Sequence, residues 1–254
     1  MIEATTLNER LSEAGLVLIQ VTSEEVFLQA HLPGAQLVLP GELVCGTPPA
    51  AGRLPDKQAL DALFARLGYR PDQHFVVYDD EGGGWAGRFA WTLDVIGHDG
   101  WTYLNGGLQA WQAAGLPLAS GAPPAVSPTR VDVAIDTTPI AEIADVLAAI
   151  RDPQQVIWDA RSAEEYAGIK QTAKRNGHIP GAVNLDWLAV QDRANDFRVI
   201  EDLGGLLAAK GISDKAGIIT HCQSHHRSGL TYMLGRLMGL PIRAYHGSLS
   251  LIHI

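Results

Sequence analysis

The chain has 254 residues, 46% of them apolar and 19% charged, which excludes a disordered or low-complexity protein; at roughly 150 residues per domain the length corresponds to two domains. A net charge of -9 argues against a nucleic-acid or anionic-membrane surface, and no apolar run approaches the ~20 residues that a bilayer-crossing helix needs. Two cysteines make no disulfide framework, and Met1–Thr5 shows no basic stretch leading into an apolar core, so the expected compartment is the reducing cytoplasm.

Taken in chain order, the predicted elements occur twice. Leu18-Ile19-Gln20, with Ser23 and Phe27 after it, is followed by His31-Leu32-Pro33-Gly34-Ala35, by Phe75-Val76-Val77-Tyr78-Asp79-Asp80 and by Tyr103-Leu104-Asn105-Gly106-Gly107. Ile157-Trp158-Asp159, with Ser162 and Tyr166, is followed in the same order by His178-Ile179-Pro180-Gly181-Ala182, Gly217-Ile218-Ile219-Thr220-His221-Cys222 and Ala244-Tyr245-His246-Gly247-Ser248. This is a duplicated domain. Between the copies Ser120–Pro128 carries three prolines and no apolar periodicity, an extended linker. The predicted organisation is 1–119, a linker over 120–138, and 139–254.

In the second copy Val156–Asp159 and Ala216–His221 read as buried strands. Ser162-Ala163-Glu164-Glu165 is a capping box that starts a helix. Leu230, Met233, Leu234, Leu237 and Met238 have the spacing of a helix with one buried face. Strands separated by helices favour parallel pairing, so each half is expected to be a small, mainly parallel α/β sheet covered by helices on both faces.

The segment Thr220–Gly229, with Cys222, Gln223, Ser224, His225, His226, Arg227 and Ser228, lies between a strand and a helix. Ligands bind at the carboxyl ends of strands in open α/β sheets. Backbone N–H groups in such a turn form an anion nest, to which the helix start adds partial positive charge. The field, Arg227 and any protonated histidine all favour a Cys222 thiolate, the nucleophilic form. Two other readings compete. A buried structural cysteine fits poorly with so polar and cationic a setting. A metal held by His221, Cys222, His225 and His226 lacks a second ligand cluster at a recognised spacing, and His221 should leave its strand on the side opposite Cys222.

These residues together resemble the tandem-domain rhodaneses, the thiosulfate sulfurtransferase family, and the Cys-Gln-Ser-His-His-Arg-Ser loop is most similar to the bacterial type. The resemblance covers nearly the whole chain. It implies a Cys222 nucleophile that carries a persulfide, a cradle for the outer sulfur running from Gln223 to Ser228, and Arg161 facing an anionic sulfur donor such as thiosulfate or 3-mercaptopyruvate. A thiophilic acceptor, cyanide or a thiol, then takes the sulfur, and no metal or organic cofactor is implied. A protein acceptor is compatible with the resemblance, as is a weakly active persulfide carrier or interaction protein.

The first copy is expected to be silent, with Asp80 at the Cys222 position and Thr22 at that of Arg161; Cys45 falls outside the motif and is read as incidental. Gly82-Gly83-Gly84-Trp85-Ala86-Gly87 satisfies a dinucleotide fingerprint, yet Asp79, Asp80 and Glu81 would repel a pyrophosphate, and the repeat explains the run better. A cysteine phosphatase loop separates its Cys and Arg by five residues, and only four lie between Cys222 and Arg227. The chain departs from the family at Leu249–Ile254, where Ile252 stands in place of the first copy's Trp111. Lost packing there is expected to weaken the second half.

Overall fold

The computed structural model describes residues 1–171 and 175–249. The Ile252 position and its neighbours 250–254 lie outside the described residues. In the first half the chain passes through α1 (Ala4–Arg10), β1 (Leu16–Val21), α2 (Glu24–Gln29), β2 (Gln36–Val38), α3 (Lys57–Arg66), β3 (His74–Tyr78), α4 (Gly84–Val95), β4 (Trp101–Tyr103) and α5 (Gly107–Ala113). The second half continues with β5 (Ile140–Ala141), α6 (Ile143–Ala149), β6 (Gln155–Asp159), α7 (Ala163–Tyr166), β7 (Val183–Asn184), β8 (Gln191–Asp192), β9 (Arg198–Val199), α8 (Leu203–Ala209), β10 (Gly217–His221), α9 (Arg227–Leu237) and β11 (Ile242–Tyr245).

Each half is a parallel sheet. The orders are β2-β1-β3-β4 and β7-β6-β10-β11-β5, so the second repeats the first and adds one edge strand. Among the described residues the short β8–β9 ribbon and the isolated His31–Ala119 bridge are antiparallel. The central strands read as continuous apolar runs because both sheet faces are covered: Phe75, Val76, Val77 and Tyr78 are buried, as are Ile218 and Ile219.

The repeated His-x-Pro-Gly-Ala motif is structural. His31 packs flat on Phe27 with ring centroids 4.0 Å apart and binds the Phe27 carbonyl through Nδ1 at 2.8 Å. His178 does the same on Tyr166, at 3.6 Å between centroids and 2.8 Å to its carbonyl. The glycines that follow, Gly34 and Gly181, sit at φ +82° and +77°, a region that disfavours a side chain. The expected capping box is present: Ser162 Oγ accepts from Glu165 N, and Glu165 Oε2 accepts from Ser162 N.

Residues 120–138 contain no helix or strand and lie against the first half. Thr129 N donates to the Ala65 carbonyl, and Val133 N to Asp61 Oδ1 at 2.8 Å. The two halves meet chiefly through α4 and α9, the helices that follow β3 and β10. Their backbones nearly touch at Gly87 and Gly229, where a Cβ on Gly87 would lie 2.3 Å from the Gly229 carbonyl. This corrects the expectation of one buried face for α9. The helix is buried from Ser228 through Gly235, being wedged between its own sheet and α4, while Leu237 and Met238 emerge at its exposed end.

Candidate functional site

Cys222 is the first residue after β10, at the carboxyl end of the central strand, and α9 begins five residues later. The sulfur lies at the floor of the turn with the residue 1% exposed. Ser228 Oγ donates to Sγ across 3.5 Å. Burial pushes the Cys222 thiol up, but the Arg227 charge and hydrogen bonds from Ser228 and from the Ser224 backbone outweigh it, leaving the thiol below its ordinary range. Arg227 is itself held by Glu165, Nη1 to Oε2 at 2.5 Å and Nη2 to Oε1 at 2.9 Å. A bidentate pair of this kind fixes the guanidinium plane over the turn. Glu165 therefore both caps α7 and orients the arginine.

Beneath the turn lies a second charged layer. Arg161 Nε and Nη2 grip Asp159, the shortest contact being 2.6 Å, and Nη2 also donates to the Gly177 carbonyl. His221 Nε2 lies 3.8 Å from the same carboxylate. Burial pushes Asp159 up, and the charges of His221 and Arg161 overcome it and hold the carboxyl below its usual range. His221 is pushed down by its burial despite Asp159. Arg161 is 2% exposed, and its Nε and Nη2 are engaged by Asp159 and the Gly177 carbonyl.

Of the two loop histidines that could carry charge, His225 is turned inward. Its φ of +58° turns the side chain into the protein interior, where Nδ1 contacts Ser228 Oγ at 2.8 Å and the ring meets Trp91 edge-on. Burial, with the charge of Arg88 behind it, pushes His225 well below the ordinary histidine value, and the ring is neutral. His226 faces the other way, stacked on Trp85 and bonded through Nε2 to Glu81 of the first half. Ser224 presses against the first half at Gly52, and Gln223 stays at the turn. Trp85, Glu81 and Gly52 are contributions that no spacing in the sequence announces.

The silent loop is corrected by one residue. β1 pairs Gln20 with Tyr78, and β6 pairs Asp159 with His221, so the residue after each central strand is Asp79 or Cys222. Asp79, not Asp80, stands at the Cys222 position. Its Oδ1 accepts from the N–H groups of Glu81, Gly82 and Gly83, and Oδ2 from that of Ala86. The nest is occupied by the loop's own carboxylate. Burial and the nearby Glu81 push Asp79 up to about 6, against the N–H groups of Ala86, Gly83 and Glu81. Gly84, which opens α4, stands where Arg227 opens α9.

Cys45 lies half-buried between the halves, its thiol near the carbonyls of Ala50 and Ala51. Among the described residues no group of three His, Cys, Asp or Glu side chains has the arrangement of a metal site.

A duplicated parallel α/β domain, with one copy carrying a low-pKa cysteine in a strand-to-helix nest and the other an aspartate, defines the class. The rhodanese-like domain matches residues 3–114 and again 142–253, and the chain belongs to the rhodanese family. It is 46% identical over 250 residues to a thiosulfate sulfurtransferase of Azotobacter vinelandii, covering 98% of this chain and 92% of that one. A thiosulfate sulfurtransferase of Pseudomonas aeruginosa is 43% identical over 251 residues with the same coverage. The crystal structure of SseA from Escherichia coli, a 3-mercaptopyruvate sulfotransferase of the rhodanese fold, superposes with a TM-score of 0.83 at 26% identity over 98% of both chains.

Proposed function

We propose that the protein is a sulfurtransferase that moves sulfane sulfur from thiosulfate, or a similar small anionic donor such as 3-mercaptopyruvate, to a thiophilic acceptor through a persulfide on Cys222. The observation that carries this reading is the Cys222 sulfur held at the floor of a backbone nest under Arg227, with its thiol below the ordinary range. A Cys222 thiolate attacks the outer sulfur of thiosulfate. The new S–S bond forms as the donor's S–S bond breaks, and sulfite leaves with the electron pair. The N–H groups from Gln223 to Ser228 and the Arg227 charge then hold the persulfide anion. Attack by cyanide or a thiol on the outer sulfur breaks the Cys222 S–S bond and returns the thiolate.

Arg161 acts in this scheme from below the turn, through Asp159, and His225 acts as a neutral packing group. The first half is catalytically silent and contributes walls. Two free cysteines fit a reducing cytoplasmic setting. No described helix is long and apolar enough to cross a membrane. A persulfide-carrier role has one observation in its favour: Cys222 is 1% exposed, which slows access to its sulfur.

The test is thiocyanate formation from thiosulfate and cyanide, with 3-mercaptopyruvate as the second donor and Cys222→Ala as control. Turnover that depends on Cys222 supports the enzyme. A folded protein that loads sulfur on Cys222 without turning over supports the carrier, and full turnover by Cys222→Ala overturns both.

A further inference from the structure

Arg88 lies in α4, in the half without a catalytic thiol, yet its side chain reaches the Cys222 turn. The residue is completely buried. Nη1 donates to the carbonyls of Gly52 at 2.8 Å and His225 at 3.4 Å, and Nη2 to the carbonyl of Leu43 at 2.6 Å. Its guanidinium packs over the Trp91 ring, 4.7 Å from the centroid, and Trp91 in turn meets His225 edge-on. Among the described residues no carboxylate pairs with it, and Nε has no partner. A buried guanidinium without a counter-ion is expensive and is normally compensated. The other buried arginine among the described residues, Arg161, has its carboxylate in Asp159.

We propose that Arg88 is a positioning residue for sulfur transfer: it fixes the turn through the His225 carbonyl and supplies, from the silent half, a buried positive charge whose counter-ion is the Cys222 thiolate and persulfide. This rests on the Cys222 reading above. The carbonyls it binds tie three segments together, Leu43 and Gly52 in the first half and His225 in the second. Gly52 completes the clamp, because a Cβ there would fall 2.2 Å from the Ser224 carbonyl oxygen. Burial lowers Arg88 to about 9, with the charges of Cys222 and Cys45 acting to raise it, so it stays protonated at neutral pH. Cys222 acts to raise Arg88, and Coulombic attraction is mutual, so a charged Arg88 favours the ionised thiol in turn. The other ionisable groups facing this cluster are His225 and His246, both neutral through burial, Glu142 on His246, His226 with Glu81, Glu165 on Arg227, and Asp159 with Arg161 and His221 below the turn.

The test compares Arg88→Gln, which keeps donors and loses charge, with Arg88→Lys, which keeps charge and loses the planar fork. Alkylation of Cys222 by iodoacetamide, followed on its own peptide by mass spectrometry, gives the pH midpoint of that thiol separately from Cys45. The midpoint should rise in Arg88→Gln and stay near the parent's in Arg88→Lys, while thiosulfate turnover falls about tenfold or more in Arg88→Gln. Equal midpoints in parent and Arg88→Gln, with unchanged turnover, would overturn the proposal. If Arg88→Gln fails to fold, Arg88→Lys decides: a midpoint displaced as far as that of Arg227→Gln would overturn it. Cys222→Ala in the parent background tests the Cys222 reading separately, so the two failures are distinguishable.

Discussion

Asp79 and Cys222 are the same position in two copies of one turn, each the first residue beyond its central strand and each receiving backbone N–H groups from the turn that follows. In one copy the acceptor is a carboxylate that saturates the nest internally. In the other it is a sulfur atom whose second bond is left for chemistry. The first copy thus lacks the thiol and also has its nest filled by its own carboxylate.

Restoring the thiol alone will therefore not restore a site. In a Cys222→Ala, Asp79→Cys double variant we expect thiocyanate formation below about 1% of the parent, because Gly84 leaves the new thiol without the charge that Arg227 gives Cys222 and burial raises it. An arginine at 84 would first have to displace the His226 ring, since a Cβ there would lie 2.5 Å from its Nε2. Turnover comparable to the parent's would refute the comparison of the two turns.

Arg227→Lys should behave as a non-conservative change. A lysine makes no bidentate pair with Glu165 and at the same time reaches the sulfur. The expected result is a fall in kcat/KM for thiosulfate of at least about tenfold. A steady-state comparison of both donors measures it, and undiminished thiosulfate turnover would show that point charge is sufficient.

Acid should destabilise the fold before surface carboxylates titrate. His221, His225 and His246 are buried and pushed below the ordinary histidine value, His246 to about 4, each by burial first. The unfolded chain therefore binds more protons than the folded one below about pH 6.5, and the stability present above that pH is lost as pH falls through it. Asp79, raised to about 6, works in the opposite sense between about pH 4 and 6, one group against three. Urea midpoints at pH 7.5, 6.5 and 5.5 should decline in that order; a constant or rising series would contradict the assignment.

Gly87→Ala should cost more than a surface glycine change. The added Cβ meets the Gly229 backbone at 2.3 Å, and neither helix has a flexible side chain there to yield. Overpacking of this kind costs about 1–3 kcal/mol or more, equivalent to several degrees in Tm for a chain of this size. Because α9 carries the Cys222 turn at its start, turnover should fall with it. A calorimetric scan and a parallel assay check both; an unchanged Tm would show that the helices separate freely.

Much of this architecture was legible in the residues. Duplication exposed the two sheets, and Ser162–Glu165 and the apolar runs placed individual elements, because those signals are local. The Asp79/Asp80 slip arose because insertions between the copies shift the sequence match by one residue, and only strand register fixes it. His225 read as a candidate cation because adjacent histidines look alike in sequence, whereas the positive φ that sends one inward and leaves the other on Trp85 is a property of the folded turn. Arg88 carries no signal at all at that level, since its partners His225 and Gly52 lie far from it in sequence and meet it only when α4 packs on α9.

The contact at Gly87 and Gly229 has a consequence for dissection of the molecule. An excised second half would retain Cys222, Arg227 and Glu165 but would bare α9 at Gly229 to water and strip the turn of Gly52, Glu81 and Arg88. The indivisible working unit is the pair of copies, with gene duplication having supplied a socket as well as a spare.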